Sequence, residues 1–439
     1  MSILTFKGGV HPYDGKELSK EEPIVEYNPQ GEIAIAVSQH IGAPAKPLVS
    51  KGDSVKVGQK IAEAAGFISA NVHSSVSGTV KAIEPRLMAN GGKADCIIIE
   101  NDNNYEEIEY SKPKPLEELT PDEIRDLVKE AGVVGMGGAC FPTNVKLSPK
   151  NQDDIDYIIV NGAECEPYLT SDYRRMIEQP EILIEGLKVV LKIFPKAKGV
   201  IGIEDNKPEA IKKLKKLVNN EERIEVKQLY TKYPQGAERM LIYAITGRRI
   251  NSSMLPADVG CVVDNVDTLF AIRDAVIEGK PLINRVVTVT GDAITSPKNF
   301  LVRIGTNQRE LIEAAGGFKA EPEKVISGGP MMGIAMSNLD VPVLKGSSAL
   351  LCMEHDVVSS VEETNCINCG RCVSVCPGHI LPSRLADLSL RGDMEQFEKM
   401  NGLECCECGC CSYICPAKRN LTQAIKSMRK QVLASKKKK

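Results

Sequence analysis

The chain has no tryptophan, few aromatic residues (8 Phe and 11 Tyr in 439) and almost no charge excess, at −3. A nucleic-acid binder needs a basic face or rings for base stacking, so that class is excluded and no nucleic-acid partner is expected. Long apolar runs are missing too. The longest uncharged windows, Ala64 to Val80 and Val325 to Leu339, fall short of the ~18 residues of a membrane span and are broken by Gly, Ser, Asn or His. Any membrane association is therefore expected to be peripheral. The opening MSILTFKGGVHPYDG lacks the charged-then-apolar pattern of a secretory leader, and none is expected.

Cysteine, by contrast, is abundant and unevenly spread. Ten of the 15 cysteines lie between Cys366 and Cys415. Disulfide frameworks belong to short secreted chains, which this is not. The cysteines are read as thiolates in a reducing compartment, gathered for metal. After Glu407 the chain carries nine Lys or Arg and no acid. Such a tail (426–439) can rest on anionic lipid at ~1 kcal/mol per basic residue, or simply be solvated.

At 439 residues about three domains are expected. The segments LVSKGDSVKVGQKIAEA (48–64) and NVHSSVSGTVKAIE (71–84) look like two β-hairpin units of one design. They resemble the barrel-sandwich fold of biotinyl and lipoyl carriers. The stretch from Gly66 to His73 has no lysine to carry a prosthetic arm, so a docking or structural role is expected for domain 1–112. After the SKPKP linker (111–115), Thr120, Pro121 and Glu123 form a helix start with a capping box. Strand-like 155–162 and 199–204 then alternate with helix-like 180–194 and 208–218, which predicts an α/β layer with a mainly parallel sheet over 116–280. A small α+β unit (281–345) and a cysteine domain (360–425) complete the multidomain α/β architecture.

Two copies of C-x2-C-x2-C-x3-C-P follow: Cys366, Cys369, Cys372, Cys376, and Cys405, Cys408, Cys411, Cys415. Three cysteines on a tight loop reach three corners of one cubane, and the fourth ligates the other cluster. The spacing assigns one [4Fe–4S] cluster to Cys366, Cys369, Cys372 and Cys415, and a second to Cys405, Cys408, Cys411 and Cys376. The competing reading, a pair of zinc sites, would favour two separated C-x2-C pairs instead. Cys406 and Cys410 fit no ligand position.

The run from Gly132 to Thr143 (GVVGMGGACFPT) offers a glycine-rich cradle, yet it follows a helix rather than a strand, so the dinucleotide fingerprint alone is weak. Its company is more specific. GMGGACFPTNVK, NGAECEP and YPQGAE follow in order the flavin- and NADH-binding subunit of respiratory complex I. The opening FKGGVHPYDGKEL, the segment SQHIGAPAKPLVSKGDSVKVGQKI and the double ferredoxin motif resemble the RnfC family, NADH-facing subunits of bacterial Rnf ferredoxin:NAD+ oxidoreductase complexes.

The resemblance covers about Phe6 to Pro416. It implies a barrel-sandwich domain, a Rossmann-like flavin/NADH domain, a β-grasp (SLBB-type) unit from Val286 to Gly317 and a helical double-[4Fe–4S] ferredoxin-like domain. It implies two clusters, non-covalent FMN and NAD(H). Its partners would be the other subunits of a membrane complex and, through them, ferredoxin, with the chain on the cytoplasmic side of the membrane. Carried over by position, Gly135, Gly137, Gly138 and Lys146 would hold the flavin phosphate or ring. Asn161, Tyr233, Gly236, Asn265 and Thr268 would line the flavin and nicotinamide pocket, with Glu164, Glu166 and Glu238 as its catalytic acids. The bland alternative makes Glu164 and Glu166 a solvated strand end. Ala163 stands where the complex I pattern has an aspartate, which removes one flavin contact. Two rival functions share the motifs: a cobalamin reductase of propanediol-utilising microcompartments, and a flavin-free electron-relay adaptor.

Overall fold

The two similar segments at 48–64 and 71–84 do not close as separate hairpins. In the computed structural model, which describes residues 3–437, their strands exchange partners. Ser54–Val55 pairs antiparallel with Gly78–Leu87, and Lys60–Glu63 with Val72–His73. Gly78–Leu87 continues as a ribbon against Lys93–Asn101, which in turn pairs with Glu32–Ala36. Period-two alternation sends Ile33, Ile35, Ile97 and Ile99 into one core with Val55, Ile61, Val72 and Val80. The result is a closed sandwich rather than two loose ribbons.

The preceding residues, expected within this barrel, go elsewhere. Leu4 bridges Leu229, Val10 bridges Tyr233, and Ile24–Tyr27 joins a different sheet beside Lys298–Arg303. The FKGGVHP segment is thus a strap over the flavin domain, bringing Lys16 beneath the NGAECEP loop.

The central domain matches the expected alternation. Its sheet runs Ile224–Leu229, Lys198–Glu204, Tyr157–Gly162, Cys261–Asn265, all parallel. Both faces are covered, because neighbouring residues on each strand enter different cores. Ile158, Val160, Ile201 and Val262 pack with the helices Pro121–Glu130, Pro180–Ile193 and Val266–Arg273, whereas Ile159, Val200 and Val263 pack with Glu238–Thr246. At ~1.5–3 kcal/mol for each fully buried aliphatic side chain, this double burial holds the strand ends in place. The expected capping box on Thr120 is present.

The small α+β unit is larger than 281–345. Its six-stranded mixed sheet takes Ile24–Tyr27 at one edge and Ala349–Met353 near its centre, around the helix Gln308–Ala314. The cysteine domain is helical. Its last helix, Leu421–Lys437, corrects the reading of 426–439 as a tail: Leu421, Ile425, Met428 and Val432 bury one stripe at helical spacing against Leu385 and Phe397. The basic residues on its other side find acids, with Arg429 2.7 Å from Glu407 and Lys436 2.8 Å from Glu398. Residues 438 and 439 lie outside the described residues. Among those described, no helix is long and apolar enough to cross a membrane.

Candidate flavin and iron–sulfur site

The glycine loop is a tight hairpin launched from the Pro121–Glu130 helix. Gly135 N–H donates to Phe141 O (2.8 Å) and Thr143 N–H to Val133 O (3.0 Å). Gly132 must be glycine: its φ is +64°, and a Cβ would lie 2.2 Å from Asn71 O. At the tip, Met136 N–H is tied to Thr268 Oγ1 (2.9 Å), and a Cβ on Gly137 would press Asn265 Cβ at 2.9 Å. Gly138, with φ +140°, has no atom within 4 Å of where its Cβ would point. The loop therefore offers bare backbone on an open face, a surface that suits a phosphate or a flat ring. Gly135, Gly137, Gly138, Asn265 and Thr268 come together as expected.

Lys146 lies on the floor of this region with its charge already engaged. Its Nζ donates to Val263 O (2.7 Å) and sits 3.3 Å from Asp264 Oδ1. Asp264 is 1% exposed and neither carboxylate oxygen has a hydrogen bond of good geometry. Burial raises the Asp264 pKa and Lys146 pulls it back. Burial works against the lysine charge, while Asp264 and Glu238 outweigh it and hold the ammonium above its usual value. Glu238, at the start of its helix, is itself raised by burial. Sequence reasoning placed Lys146 and Glu238 here but missed Asp264, although VDNVDT carries it.

The acids of NGAECEP are not a solvated strand end. Glu164 is 9% exposed, with φ +45°. Its Oε1 accepts from the N–H groups of Asp172 (2.7 Å) and Tyr173 (3.4 Å), at the first turn of the Ser171–Glu178 helix. Its Oε2 lies 3.8 Å from Lys16 Nζ and has no hydrogen bond. Glu166 Oε1 accepts from Met331 N–H (2.6 Å) and Met332 N–H (3.1 Å), clasping the β-grasp unit. Asn161 Nδ2 donates to Gly236 O (2.8 Å), which joins the second and third motifs. Asn265 Nδ2 donates to Asp172 Oδ2 at 2.6 Å. Burial, with Glu164 and Asp267 nearby, pushes Asp172 up to about 8, so it holds its proton at neutral pH.

Two buried lysines that no motif announced fix the same loop. Lys16 Nζ donates to the carbonyls of Glu166 (3.0 Å) and Leu169, and Lys207 Nζ to Ala163 O (2.6 Å). Lys16 is distant in sequence, and Lys207 precedes an amphipathic helix where a solvated charge is the ordinary reading. Several buried polar atoms nearby lack a partner: Glu164 Oε2, Tyr233 Oη, Gln235 Nε2 and both Asp264 oxygens. Buried polar atoms are normally satisfied, so this group fits a polar ligand such as FMN.

The cysteine halves are true repeats. Asn368, Gly370 and His379 have φ of 55°, 73° and 52°, and the residues 39 positions later, Glu407, Gly409 and Lys418, have 58°, 83° and 51°. Cys376, Cys405, Cys408 and Cys411 line one apolar cavity together with Pro377 and Ile380. That set is the crossed group expected for the second cluster, and the donors fit a [4Fe–4S] group. Among the described residues no three Cys, His, Asp or Glu close around a single-ion site; the sulfurs wall a cavity instead. Burial pushes Cys405 up to about 12 and raises Cys376 and Cys411, so cluster binding must expel protons.

The halves differ in cover. Cys408 and Cys410 pack with Val10 and Tyr233, and Cys165, Met331 and Cys406 flank them. Cys165 Sγ in turn accepts from Gly236 N–H at 3.2 Å. In the other half Cys369 is exposed and Ile367, the counterpart of Cys406, is 67% exposed. Cys406 and Cys410, without a role in the spacing, are packing at this seam.

A parallel α/β domain with an open glycine loop, joined to a paired-cysteine domain, defines a flavin- and iron–sulfur-binding electron-transfer protein. Family comparisons agree, in chain order: an RnfC barrel sandwich hybrid domain at 4–104, a Nuo51 FMN-binding domain at 128–274, an SLBB domain at 286–335 and a 4Fe-4S binding domain at 360–381. The RnfC-type subunit of the proton-translocating ferredoxin:NAD(+) oxidoreductase complex of Clostridium ljungdahlii is 48% identical over 98% of this chain and 94% of its own. Its counterpart in the Na(+)-translocating complex of Acetobacterium woodii is 47% identical over 99% and 98%. The chain belongs to this RnfC family. An NAD+-reducing [NiFe]-hydrogenase crystal structure, H2-reduced, shares the fold at a TM-score of 0.52, 19% identity, 73% of this chain and 63% of that one.

Proposed function

We propose that the chain is the NAD(H)-facing electron-transfer subunit of a membrane-embedded ferredoxin:NAD+ oxidoreductase complex. It passes electrons between two [4Fe–4S] clusters, non-covalent FMN and NAD(H), while other subunits couple the flow to Na+ or H+ translocation. The chain sits peripherally on the cytoplasmic face. When bound, FMN supplies both hydride exchange and one-electron exchange, which neither NAD(H) nor a cluster can do alone.

The protein's own residues do the rest. Gly135, Gly137 and Gly138 give a close approach to backbone. Lys146, Asp264 and Glu238 set the charge of the floor, and Glu164 keeps the Ser171–Glu178 helix start aimed at the pocket. Asp172 holds a proton beside Asn265. Glu166 and Tyr233 lock the β-grasp and ferredoxin-like units against the NGAECEP and YPQGAE loops.

The observation that carries the reading is the asymmetric cover of the two cysteine repeats. The Cys405/Cys408/Cys411/Cys376 set lies against Tyr233 and Cys165, whereas the Cys366/Cys369/Cys372/Cys415 set presents an exposed loop. The covered set is the flavin-side relay and the bare set the port for a membrane partner. EPR of two variants tests this. In Cys369→Ala the remaining cluster should still be reduced by NADH; in Cys408→Ala the remaining cluster should respond to dithionite but not to NADH. The reverse pattern refutes the order.

A further inference from the structure

The Gly66–His73 turn, where a carrier domain would bear its lysine, carries instead Phe67. It is 82% exposed, the most exposed of the large apolar side chains among the described residues. The other seven Phe are buried or half-buried. An isolated surface Phe needs no explanation, but this one is held firmly and in a specific place.

Its turn is a hydrogen-bonded unit. Ala65 N–H donates to Ser69 Oγ (3.1 Å), Ser69 Oγ to Ala43 O (2.8 Å), and Ala43 N–H to Ile68 O (3.0 Å). A Cβ on Gly42 would lie 1.9 Å from Ile68 O, so the 40–43 and 66–69 loops interlock at backbone distance. The joined pair then reaches the glycine loop, where Ile41 N–H donates to Cys140 O at 3.2 Å. Ile41 is 49% exposed and Ile68 37%. Exposed Ala139 and Gly138 continue the same surface.

We propose that Phe67, flanked by Ile41 and Ile68, is the platform on which the adenine ring of NAD(H) stacks while the dinucleotide crosses the glycine loop. The inference rests on the NAD(H) function proposed above and adds a second anchor from a different domain. A purine has an apolar π-face that a rigid exposed ring fits, and such a contact needs no hydrogen-bond partner. Continuity with the open Gly138 face selects this occupant. The polar pocket around Asn161 and Glu164 offers amides and acids instead, which suit the flavin and nicotinamide end.

The test uses the full chain loaded with clusters and FMN, with dye reduction by NADH and by reduced nicotinamide mononucleotide, which has no adenosine. Phe67→Ala should raise the KM for NADH about tenfold, within the range for stacking one base on an aromatic ring, and leave kcat within about twofold. The mononucleotide KM should not move, and Phe67→Trp should restore NADH. Unchanged iron and flavin content in both variants checks folding. An unaltered NADH KM overturns the proposal, as does an equal rise with both donors. Loss of assembly with membrane subunits at an unaltered NADH KM would make Phe67 a partner contact, and also overturns it. Failure of the underlying function is distinct: the unsubstituted chain would then reduce no dye with either donor.

Discussion

Removing the Lys146 charge should have a cost that depends on pH in a defined way. Lys146→Met takes away the one cation near Asp264, a carboxylate 1% exposed and otherwise without a hydrogen bond. Stripping one partner from a buried pair typically costs ~3–5 kcal/mol. The carboxylate has an escape, which is to take up a proton. From an unfolded pKa of about 3.9 this costs roughly 4 kcal/mol at pH 7 and roughly 1.5 kcal/mol at pH 5, at 1.36 kcal/mol per unit. The cheaper route sets the loss, so the variant should be about 3–4 kcal/mol less stable at pH 7 and recover about half of that at pH 5. The sign follows from proton counting: the folded variant binds a proton that the unfolded chain has released, so its stability falls as pH rises. Urea unfolding of the apo-chain at pH 5, 6 and 7, compared with Lys146→Met/Asp264→Asn, measures this. The double variant should regain most of the pH 7 loss. A pH-independent deficit, or no rescue on adding Asp264→Asn, would refute the buried-pair reasoning.

Lys345 gives the opposite slope. It is 1% exposed, its Nζ donates to Asn71 O and Gly132 O (2.7 Å each), and burial pulls it down to about 7, with Cys140 opposing. His73 nearby is pushed down to about 3 by burial and stays neutral. Between pH 7 and about 10 the unfolded chain holds a proton that the folded one lacks, so the native protein should gain on Lys345→Met by up to ~1.4 kcal/mol per unit. A flat difference across that window contradicts it. Glu166→Ala strands the Met331 and Met332 amides and should cost about 1–3 kcal/mol with faster proteolysis at 328–333, whereas Glu166→Gln keeps an acceptor and should recover most of this.

Local features were legible in the residues. The Thr120 capping box, the alternation from Ile155 to Val218 and the two C-x2-C-x2-C-x3-C-P runs each depend on contacts within a few positions. So was the gathering of Gly137, Asn265, Thr268, Asn161 and Gly236, through resemblance. What escaped depends on distance along the chain. Nothing near Lys16 says it will bond Glu166 and Leu169, and nothing in Ile24–Tyr27 says that its partner is Lys298–Arg303. The hairpin units at 48–64 and 71–84 misled because similar strands can pair within or between units, and turn chemistry does not distinguish the two. The C-terminal basic run hid a helix, because its lysines outnumber the four residues that dock it.

A flavin joined to two clusters in one chain is the core of the proposed electron path. Anaerobic titration of the purified chain with NADH, following flavin absorbance and EPR together, tests it most directly. About eight irons and one FMN per chain are expected, with flavin bleaching and cluster signals rising in the same titration. Flavin absent, near four irons per chain, or clusters that dithionite reduces while NADH leaves them oxidised would contradict it.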